Sequence, residues 1–327
     1  MPHRPLLSLM RSLLIAVITL LAVMAQANER PLVRLDRILS SAESLDSSSL
    51  SDSIRPAIEA MARIGIIESD TQQAVRDYVN GRAFTFFEPE ITARLDSLNL
   101  SDTISSTIHT LEALLPDMQT PGHIYGIITP YSQAVMNVDS VMLIGLNHYL
   151  GHDYEAYRYF EPYIRRQKDA RLMPYHVAES LIQQSYPMRA DSTASALIHI
   201  LRDGAVTATL MEAVPDASLS CAGSWTDDEL SWLRTHEAEL WDDMTDRKML
   251  ESTDSRLIAN LLAPSPATIM FGNHAPGRTG RYIGYRLIQA YLDHHPDTPM
   301  SSLLSPDFLQ QHSQDFINEY TVERKSR

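Results

Sequence analysis

The 327-residue chain is short of cysteine, glycine and basic residues, and each shortage excludes a class of protein. Its one cysteine, Cys221, cannot form a disulfide within the chain, so a disulfide-stabilised scaffold is excluded. With only 12 glycines, the chain has few of the residues that tight turns and barrel corners require, which favours helices. The formal charge of −14 repels nucleic-acid phosphates, so we predict no nucleic-acid partner.

The N-terminus carries the pattern of a secretory signal peptide. Arg4 and Arg11 lie before an apolar run at 13–25. Ala25-Gln26-Ala27 then has the small-x-small form of a cleavage site. The run is shorter than the roughly 20 residues of a membrane-spanning helix, which leaves an uncleaved anchor as the alternative. No cysteine follows the run, so it offers no site for lipid attachment. We predict a signal peptide over residues 1–27 and one exported domain over residues 28–327.

The hydrophobic periodicity predicts a mostly helical α+β domain with a small sheet. Three short β-branched segments, 123–129, 133–138 and 140–147, predict the strands. The serine-rich segment 38–53 predicts a short helix with a solvated turn, or a flexible connection. Apolar residues at helical spacing predict helices over 54–64, 69–78, 101–115, 172–185, 192–213, 226–244 and 280–293, and from Ser305-Pro306 onward.

Histidine pairs are the first candidates for metal binding, and their spacing disfavours it. His148 and His152 lie four residues apart, but Gly151 stands between them at a predicted strand end, where they share no helical face. His294-His295 closes a helix and points two ways. The sequence has no His-Glu-x-x-His and no Gly-x-Ser-x-Gly, so we predict no catalytic residue and no cofactor. One weaker set of metal ligands remains as an alternative: His176, Glu179 and Asp203.

The segment 272–279 is similar to a phosphate-binding loop but lacks its lysine and the buried strand before it. We therefore predict a packing role for its glycines and those that follow. Gly277, Gly280 and Gly284 would let the next helix lie close to a neighbouring element. Arg278 would hydrogen-bond a helix C-terminus or a buried carboxylate, since its guanidinium suits bidentate contact.

Tyrosine and arginine are concentrated in residues 154–166. Such residues are common at contact surfaces, although local packing explains them equally well. They also give the only support for a third class of function, a module that binds an envelope sugar or lipid. The residues are Tyr154, Tyr157, Tyr159 and Tyr163, with Arg158, Arg165 and Arg166.

Several segments resemble, in order, the GldB family of gliding-motility lipoproteins of Bacteroidetes. They are IGLNHYLGHDY (144–154), PYIRRQ (162–167), DGAVTATLMEAVPD (203–216), the helical stretch 225–258 and FGNHAPGRTGRYIGYRLIQAYL (271–292). The residues that carry the motifs are Gly145, Leu146, Tyr149, Leu150, Gly151, Gly204, Gly277, Arg278, Gly280 and Gly284. The resemblance implies a zincin-like fold and an envelope component linked to gliding and its secretion machinery, without an established reaction.

This sequence departs from the family pattern at three places. The cysteine expected of a lipoprotein is absent, Asn147 stands where aspartate is usual, and Asp203 stands where glutamate is expected. By position, Asp203 looks like a zincin's acidic ligand, and 173–184 looks like a metal-binding helix without its two histidines. The resemblance thus implies a pseudoenzyme of the periplasm or outer membrane that contacts envelope proteins, with peripheral membrane association left open. The alternative is a zinc-dependent peptidase or peptidoglycan hydrolase.

Overall fold

The computed structural model describes residues 30–41, 52–188, 193–264 and 268–326. The predicted signal peptide and most of the serine-rich segment lie outside these residues. The helices are α1 (Leu35–Ser40), α2 (Arg55–Arg63), α3 (Gln72–Val79), α4 (Arg82–Leu95), α5 (Leu100–Leu114), α6 (Pro162–Arg166), α7 (Met173–Ser185), α8 (Ala196–Ala213), α9 (Leu219–Gly223), α10 (Asp227–Thr235), α11 (Glu237–Asp246), α12 (Ser255–Leu262), α13 (Thr279–His294), α14 (Met300–Leu303), α15 (Pro306–Gln311) and α16 (Ser313–Ser326).

The sheet has four strands in the order β1-β2-β4-β3. They are β1 (Leu32–Arg34), β2 (His123–Ile127), β3 (Val135–Val138) and β4 (Val141–Gly145). β1, β2 and β4 are parallel, while β3 is antiparallel to β4. All five residues of β4 are buried, so this strand lies in the core. The predicted α+β class, mostly helical, is confirmed, and so are the three predicted strands.

Two buried helices, α8 and α13, cross at glycines. A Cβ atom on Gly284 would lie 1.9 Å from the carbonyl oxygen of Ile200, and one on Gly204 would lie 2.1 Å from the Gly284 carbonyl carbon. Such distances leave no room for a side chain, so the two backbones touch. Gly280 also packs tightly, because a Cβ added there would have Leu261 and Ile200 within 3.2 Å. The predicted close packing of Gly280 and Gly284 is confirmed.

Two predicted helix starts are confirmed. Thr226 and Glu229 form the predicted capping box at the start of α10, and Ser305 caps α15 with Pro306 at its first turn. The predicted helix over 226–244 is divided at His236 into α10 and α11. Within the described residues, no helix has both the length and the apolar character that crossing a membrane requires.

Candidate functional site

The two predicted acidic ligands meet at one buried guanidinium. Nη1 of Arg281, on α13, lies 2.9 Å from Oε1 of Glu179 on α7 and 3.8 Å from Oδ1 of Asp203 on α8. Nε of Arg281 donates to the hydroxyl of Thr207 at 2.7 Å. Arg281 is 1% exposed. We call these four residues the Arg281 cluster.

The glycine crossing explains how this cluster forms. Asp203 precedes Gly204, and Arg281 lies one turn before Gly284 on α13. Because the backbones of α8 and α13 touch at these glycines, the neighbouring side chains of Asp203 and Arg281 are held as an ion pair at 3.8 Å. Gly204 and Gly284 therefore position a charged group.

Charge sets the protonation of the cluster. Burial raises the pKa of Glu179, but the positive charges of Arg281 and Arg278 outweigh it and hold that pKa at about 2. Burial raises the pKa of Asp203 despite Arg281. Burial also lowers the pKa of nearby Arg202 to about 10. Glu179 is therefore ionised at neutral pH and pairs with Arg281.

The predicted imidazole ligand has a different partner. Nδ1 of His176 lies 2.9 Å from the hydroxyl of Tyr149, and the two rings are 5.7 Å apart. Burial, together with the charges of Arg278 and Arg281, lowers the pKa of His176 to about 4 against the opposing effect of Glu179. His176 is therefore neutral at pH 7.

The residues present do not fit a zinc ion. Among the described residues, no three His, Cys, Asp or Glu side chains are grouped so that they could hold a metal. The guanidinium of Arg281 forms ion pairs with Glu179 and Asp203, the two carboxylates that a zinc ion would need as ligands. It also places a positive charge at that position. A bound cation at this point would be repelled by the guanidinium.

The other histidine candidates are separated. His148 is buried, and its ring nitrogens lie 2.9 Å from the carbonyl oxygen of Tyr131 and 2.9 Å from Nζ of Lys168. His152 is exposed and lines a surface groove instead. His294-His295 faces Glu319, at 3.2 and 3.8 Å.

The strand-end motif that follows β4 is a buried hydrogen-bond network. Asn147 accepts from the backbone nitrogen of Thr129 at 3.0 Å and donates to its carbonyl oxygen at 2.9 Å. The hydroxyl of Tyr157 donates to the backbone carbonyl of Asn147 at 2.5 Å. Nζ of Lys168 lies 5.1 Å from the centre of the Tyr157 ring and 4.8 Å from that of Phe160. The motif thus anchors the loop 149–168 to the sheet.

The tyrosine and arginine segment divides into buried and exposed parts. Tyr154 and Tyr157 pack edge to face, 5.1 Å apart, in the core. Tyr159 is 80% exposed, and the guanidinium of Arg158 lies 4.7 Å from its ring centre. Phe160 is 44% exposed. The segment therefore has a part that packs in the core and a part that is exposed.

A groove that the sequence did not reveal runs beside α7 and α10. It consists of two cavities of about 420 Å³ each, which share Arg171, Ser218 and Cys221 in their walls. The first cavity is also lined by Arg166, Asp169, Ser220, Ser224, Trp225 and Asp227. The lining comes from separate loops and helix ends, each with ordinary polar residues, so no local pattern could have indicated it. We call it the groove.

At one end, the groove adjoins a small recess that contains the predicted arginine Arg278. The recess has about 10 Å³ of free volume and shares Arg166, Ser224 and Trp225 with the first cavity. Nη1 of Arg278 donates to the hydroxyl of Ser224 at 2.9 Å and to the carbonyl oxygen of Gly223 at 3.3 Å. Gly223 is the last residue of α9, so the predicted contact of Arg278 with a helix C-terminus is confirmed.

Comparison with known proteins gives one match. A family model described as gliding motility protein GldB matches residues 25–314, which is most of the chain and includes the segments that carry the resemblance. No curated protein and no solved structure matches the chain.

Proposed function

Since the chain belongs to the GldB family of gliding motility proteins, we propose that it is a non-catalytic component of the cell envelope that acts by contacting other proteins. Membership of this family supports the assignment of the chain as an envelope protein associated with gliding motility. The lack of catalysis, the protein contacts and a zincin-like origin of the fold are our proposals.

One observation carries the non-catalytic assignment: Arg281 lies between Glu179 and Asp203. A zinc hydrolase needs an open metal position, an activated water and a general base. In this chain, the guanidinium engages the acid that would serve as base, and the pKa of Glu179 stays at about 2. His176 is turned to Tyr149. The cluster supports a structural role that ties α7, α8 and α13 together.

Exposed aromatic side chains support a contact function. Phe86 is 54% exposed, Tyr159 80% and Phe160 44%. Phe86 contacts Phe87, whose ring lies 6.5 Å from that of the buried Tyr154. Exposed aromatic side chains and arginines are enriched at protein interfaces. We call Phe86, Tyr159 and Phe160 the aromatic surface.

Export fits the same function. We propose that residues 1–27 are removed after Ala27, which would place the domain 28–327 in the periplasm or at the outer membrane. N-terminal sequencing of protein purified from its native host tests this. We expect a mature chain that begins at Asn28. An intact Met1 in a membrane-embedded protein would contradict export with cleavage.

Affinity capture from the native envelope tests the contact function. We expect the mature chain to retain the same protein reproducibly, and a variant with Tyr159→Ser and Phe160→Ser to lose it. Ile269→Ser is the matched control, because Ile269 is 78% exposed and lies outside the aromatic surface. Retention of that protein by the double variant, or no reproducible protein at all, would contradict the proposal.

Metal analysis tests the alternative, a zinc-dependent peptidase or peptidoglycan hydrolase. His176, Glu179 and Asp203 do lie on the neighbouring helices α7 and α8, which is the observation that keeps it in view. Zinc at one ion per chain, lost in His176→Ala together with peptide or peptidoglycan cleavage, would replace the non-catalytic assignment. We expect no stoichiometric zinc.

A further inference from the structure

We infer that one buried lysine, Lys168, controls the aromatic surface, because its ammonium group holds the ring of Phe160 in place only while it keeps its positive charge. Loss of that charge would release Phe160 and leave Tyr159 where it is. The inference rests on the proposed function and deepens it, since it names how the contact surface would be regulated.

Lys168 is a buried cation without a counter-ion. It is 8% exposed, and burial lowers its pKa. Among the described residues, no ion pair joins its ammonium to a carboxylate, and the adjacent Asp169 pairs with Arg171 instead. Lysine is almost never buried without a paired acid, because an uncompensated charge in the core costs free energy. The contacts that replace the acid are therefore what keep this ammonium in place.

The imidazole of His148 is the first of these contacts. Its Nε2 lies 2.9 Å from the carbonyl oxygen of Tyr131, which can only accept a hydrogen bond, so Nε2 carries the ring proton. The other nitrogen, Nδ1, is then an acceptor, and the ammonium of Lys168 donates to it at 2.9 Å. Burial, followed by the charge of Lys168, lowers the pKa of His148 to about 4, so the imidazole is neutral at pH 7. The pair carries one positive charge, on the lysine.

Two aromatic rings are the other contacts of the ammonium. Nζ lies 5.1 Å from the ring centre of Tyr157 and 4.8 Å from that of Phe160. This attraction requires a cation, and it is stronger where water is excluded. Tyr157 is also fixed by its hydroxyl, which donates to the carbonyl oxygen of Asn147. Phe160 has no polar group and is 44% exposed, so its ring depends on the ammonium and on a tilted contact with the Tyr157 ring at 6.2 Å.

The groups that surround the pair cannot replace the charge of Lys168. The neighbouring tyrosines have pKa values that burial raises, the nearby histidine on α7 has a pKa of about 4, and the arginine on α4 is positive. All of them are neutral or positive at pH 7, so the ammonium is the group whose charge changes first as the pH rises. They are Tyr149, Tyr154, Tyr157, His176 and Arg94.

Tyr159 is the opposite case within the same surface. The cation beside its ring is Arg158, whose guanidinium lies 4.7 Å from the ring centre and also pairs with Glu155. Arginine does not lose its proton in proteins, so this contact persists when the pH rises. The aromatic surface therefore has one ring that is held at every pH and one, Phe160, that is held only while Lys168 is charged.

Fluorine NMR of the mature chain, with 4-fluorophenylalanine only at Phe160, tests how this ring is held. The relaxation of the fluorine signal by a dissolved nitroxide measures the exposure of the ring. As the pH rises, we expect one transition with a midpoint below 10.5, the ordinary pKa of a lysine. Exposure should rise about twofold, because the ring goes from 44% exposed towards full exposure. No transition below pH 10.5 would overturn the inference.

Two variants assign the transition to the ammonium. Lys168→Arg keeps a positive charge that does not titrate in this range, so we expect the low exposure to persist above the wild-type midpoint. Lys168→Met has a chain of similar length without the charge, so we expect the high exposure already at pH 7. The same label at Phe86, whose ring contacts Phe87, is the control and should show no such transition. A transition that persists in Lys168→Arg, or a folded Lys168→Met with wild-type exposure at pH 7, would overturn the inference.

Envelope capture separates this inference from the proposed function. At pH 7 we expect Lys168→Met to retain the captured protein about fivefold more weakly than Lys168→Arg does. Equal capture by the two variants, with Phe160 exposed in Lys168→Met, would overturn the control by Lys168 and leave the contact function standing. No capture by the wild type would instead contradict the proposed function, and the fluorine signal would still decide how Phe160 is held.

Discussion

Arg278 and Ser224 both have left-handed backbones, with φ of 58° each, and are joined by a hydrogen bond of 2.9 Å from the guanidinium to the hydroxyl. Residues other than glycine rarely adopt this conformation, which costs on the order of 1 kcal/mol. Ser224 is the C-cap residue of α9, and Arg278 is the N-cap residue of α13. Two strained helix ends thus stabilise each other at the rim of the recess.

Substitution at Ser224 should separate the strain from the hydrogen bond. We expect Ser224→Ala to lower the free energy of unfolding by about 1 kcal/mol, because the strain stays and the acceptor is lost. Ser224→Gly loses the same acceptor but relieves the backbone, so we expect a change near zero. Chemical denaturation of the two variants measures the difference. Equal destabilisation by both would show that the left-handed backbone costs nothing here.

The glycine crossing of α8 and α13 predicts a large effect from one methyl group. We expect Gly284→Ala to destabilise the protein by about 1–3 kcal/mol, because its Cβ would lie 1.9 Å from the Ile200 carbonyl oxygen and the helices must separate. Gly122→Ala is the matched control, since its Cβ would lie 3.6 Å from the nearest atom, in ordinary contact. A thermal denaturation experiment that finds both variants equally stable would contradict the close crossing.

Most of the fold could be predicted from local sequence patterns. Amphipathic spacing and caps identified most helices, because a buried stripe and a capping side chain are encoded within a few residues, as Thr226 and Glu229 illustrate. The strand β1 was missed because three residues are too few for a pattern. Helix α4 was missed because Pro89 interrupts a sequence rich in aromatic residues.

The candidate site could be predicted only in part from the sequence. Sequence placed His176, Glu179 and Asp203 on neighbouring helices, and spacing alone could not pair the acids with Arg281, which is 102 residues from Glu179 along the chain. That pairing depends on the glycine contact between α8 and α13, a tertiary feature. The groove depends in the same way on helix ends that are distant in sequence, such as Arg166 and Ser224.

Removing only the guanidinium of the Arg281 cluster should lower the free energy of unfolding more than removing the guanidinium and both carboxylates together. We expect Arg281→Met to cost about 3–5 kcal/mol, because Glu179 and Asp203 then lose their buried counter-ion. The triple variant with Glu179→Gln and Asp203→Asn as well should recover part of this loss. Urea denaturation of the single and triple variants measures the two free energies of unfolding. A triple variant less stable than Arg281→Met alone would contradict the pairing.

The buried histidines predict a loss of stability on mild acidification. Burial and then Lys168 lower the pKa of His148 to about 4, and the pKa of His176 is lowered similarly. Between the unfolded value of 6.5 and about 4, the unfolded chain therefore binds more protons, so stability falls as the pH falls through this range. The pKa of Glu179 is lowered from 4.5 to about 2, so its protonation reduces the stability only at lower pH.

His148→Gln tests this dependence. From pH 7 to pH 5 we expect each buried histidine to contribute at most about 2 kcal/mol of lost stability, so the variant should lose roughly half of the combined slope. Equal slopes in the variant and the wild type would contradict the lowered pKa of His148.

Asn147 offers the sharpest test of the strand-end network, because its amide both donates to and accepts from Thr129. An ionised aspartate can accept but has no proton to donate, so it would face the buried Thr129 carbonyl with a negative charge. We expect Asn147→Asp to cost about 1–3 kcal/mol at pH 7.

Asn137→Asp is the matched control for that substitution. The partner of Asn137 is the hydroxyl of Ser180 at 2.9 Å, which can rotate and donate to a carboxylate, so we expect a smaller loss. The difference between the two variants should narrow on acidification, because the carboxyl group introduced by Asn147→Asp regains a donor when it is protonated. Thermal denaturation at pH 7 and pH 4.5, each read against the wild type, measures both effects. Equal losses at the two positions would mean that the donated bond to Thr129 contributes little, and that the strand end is held by the Tyr157 contact with the Asn147 backbone instead.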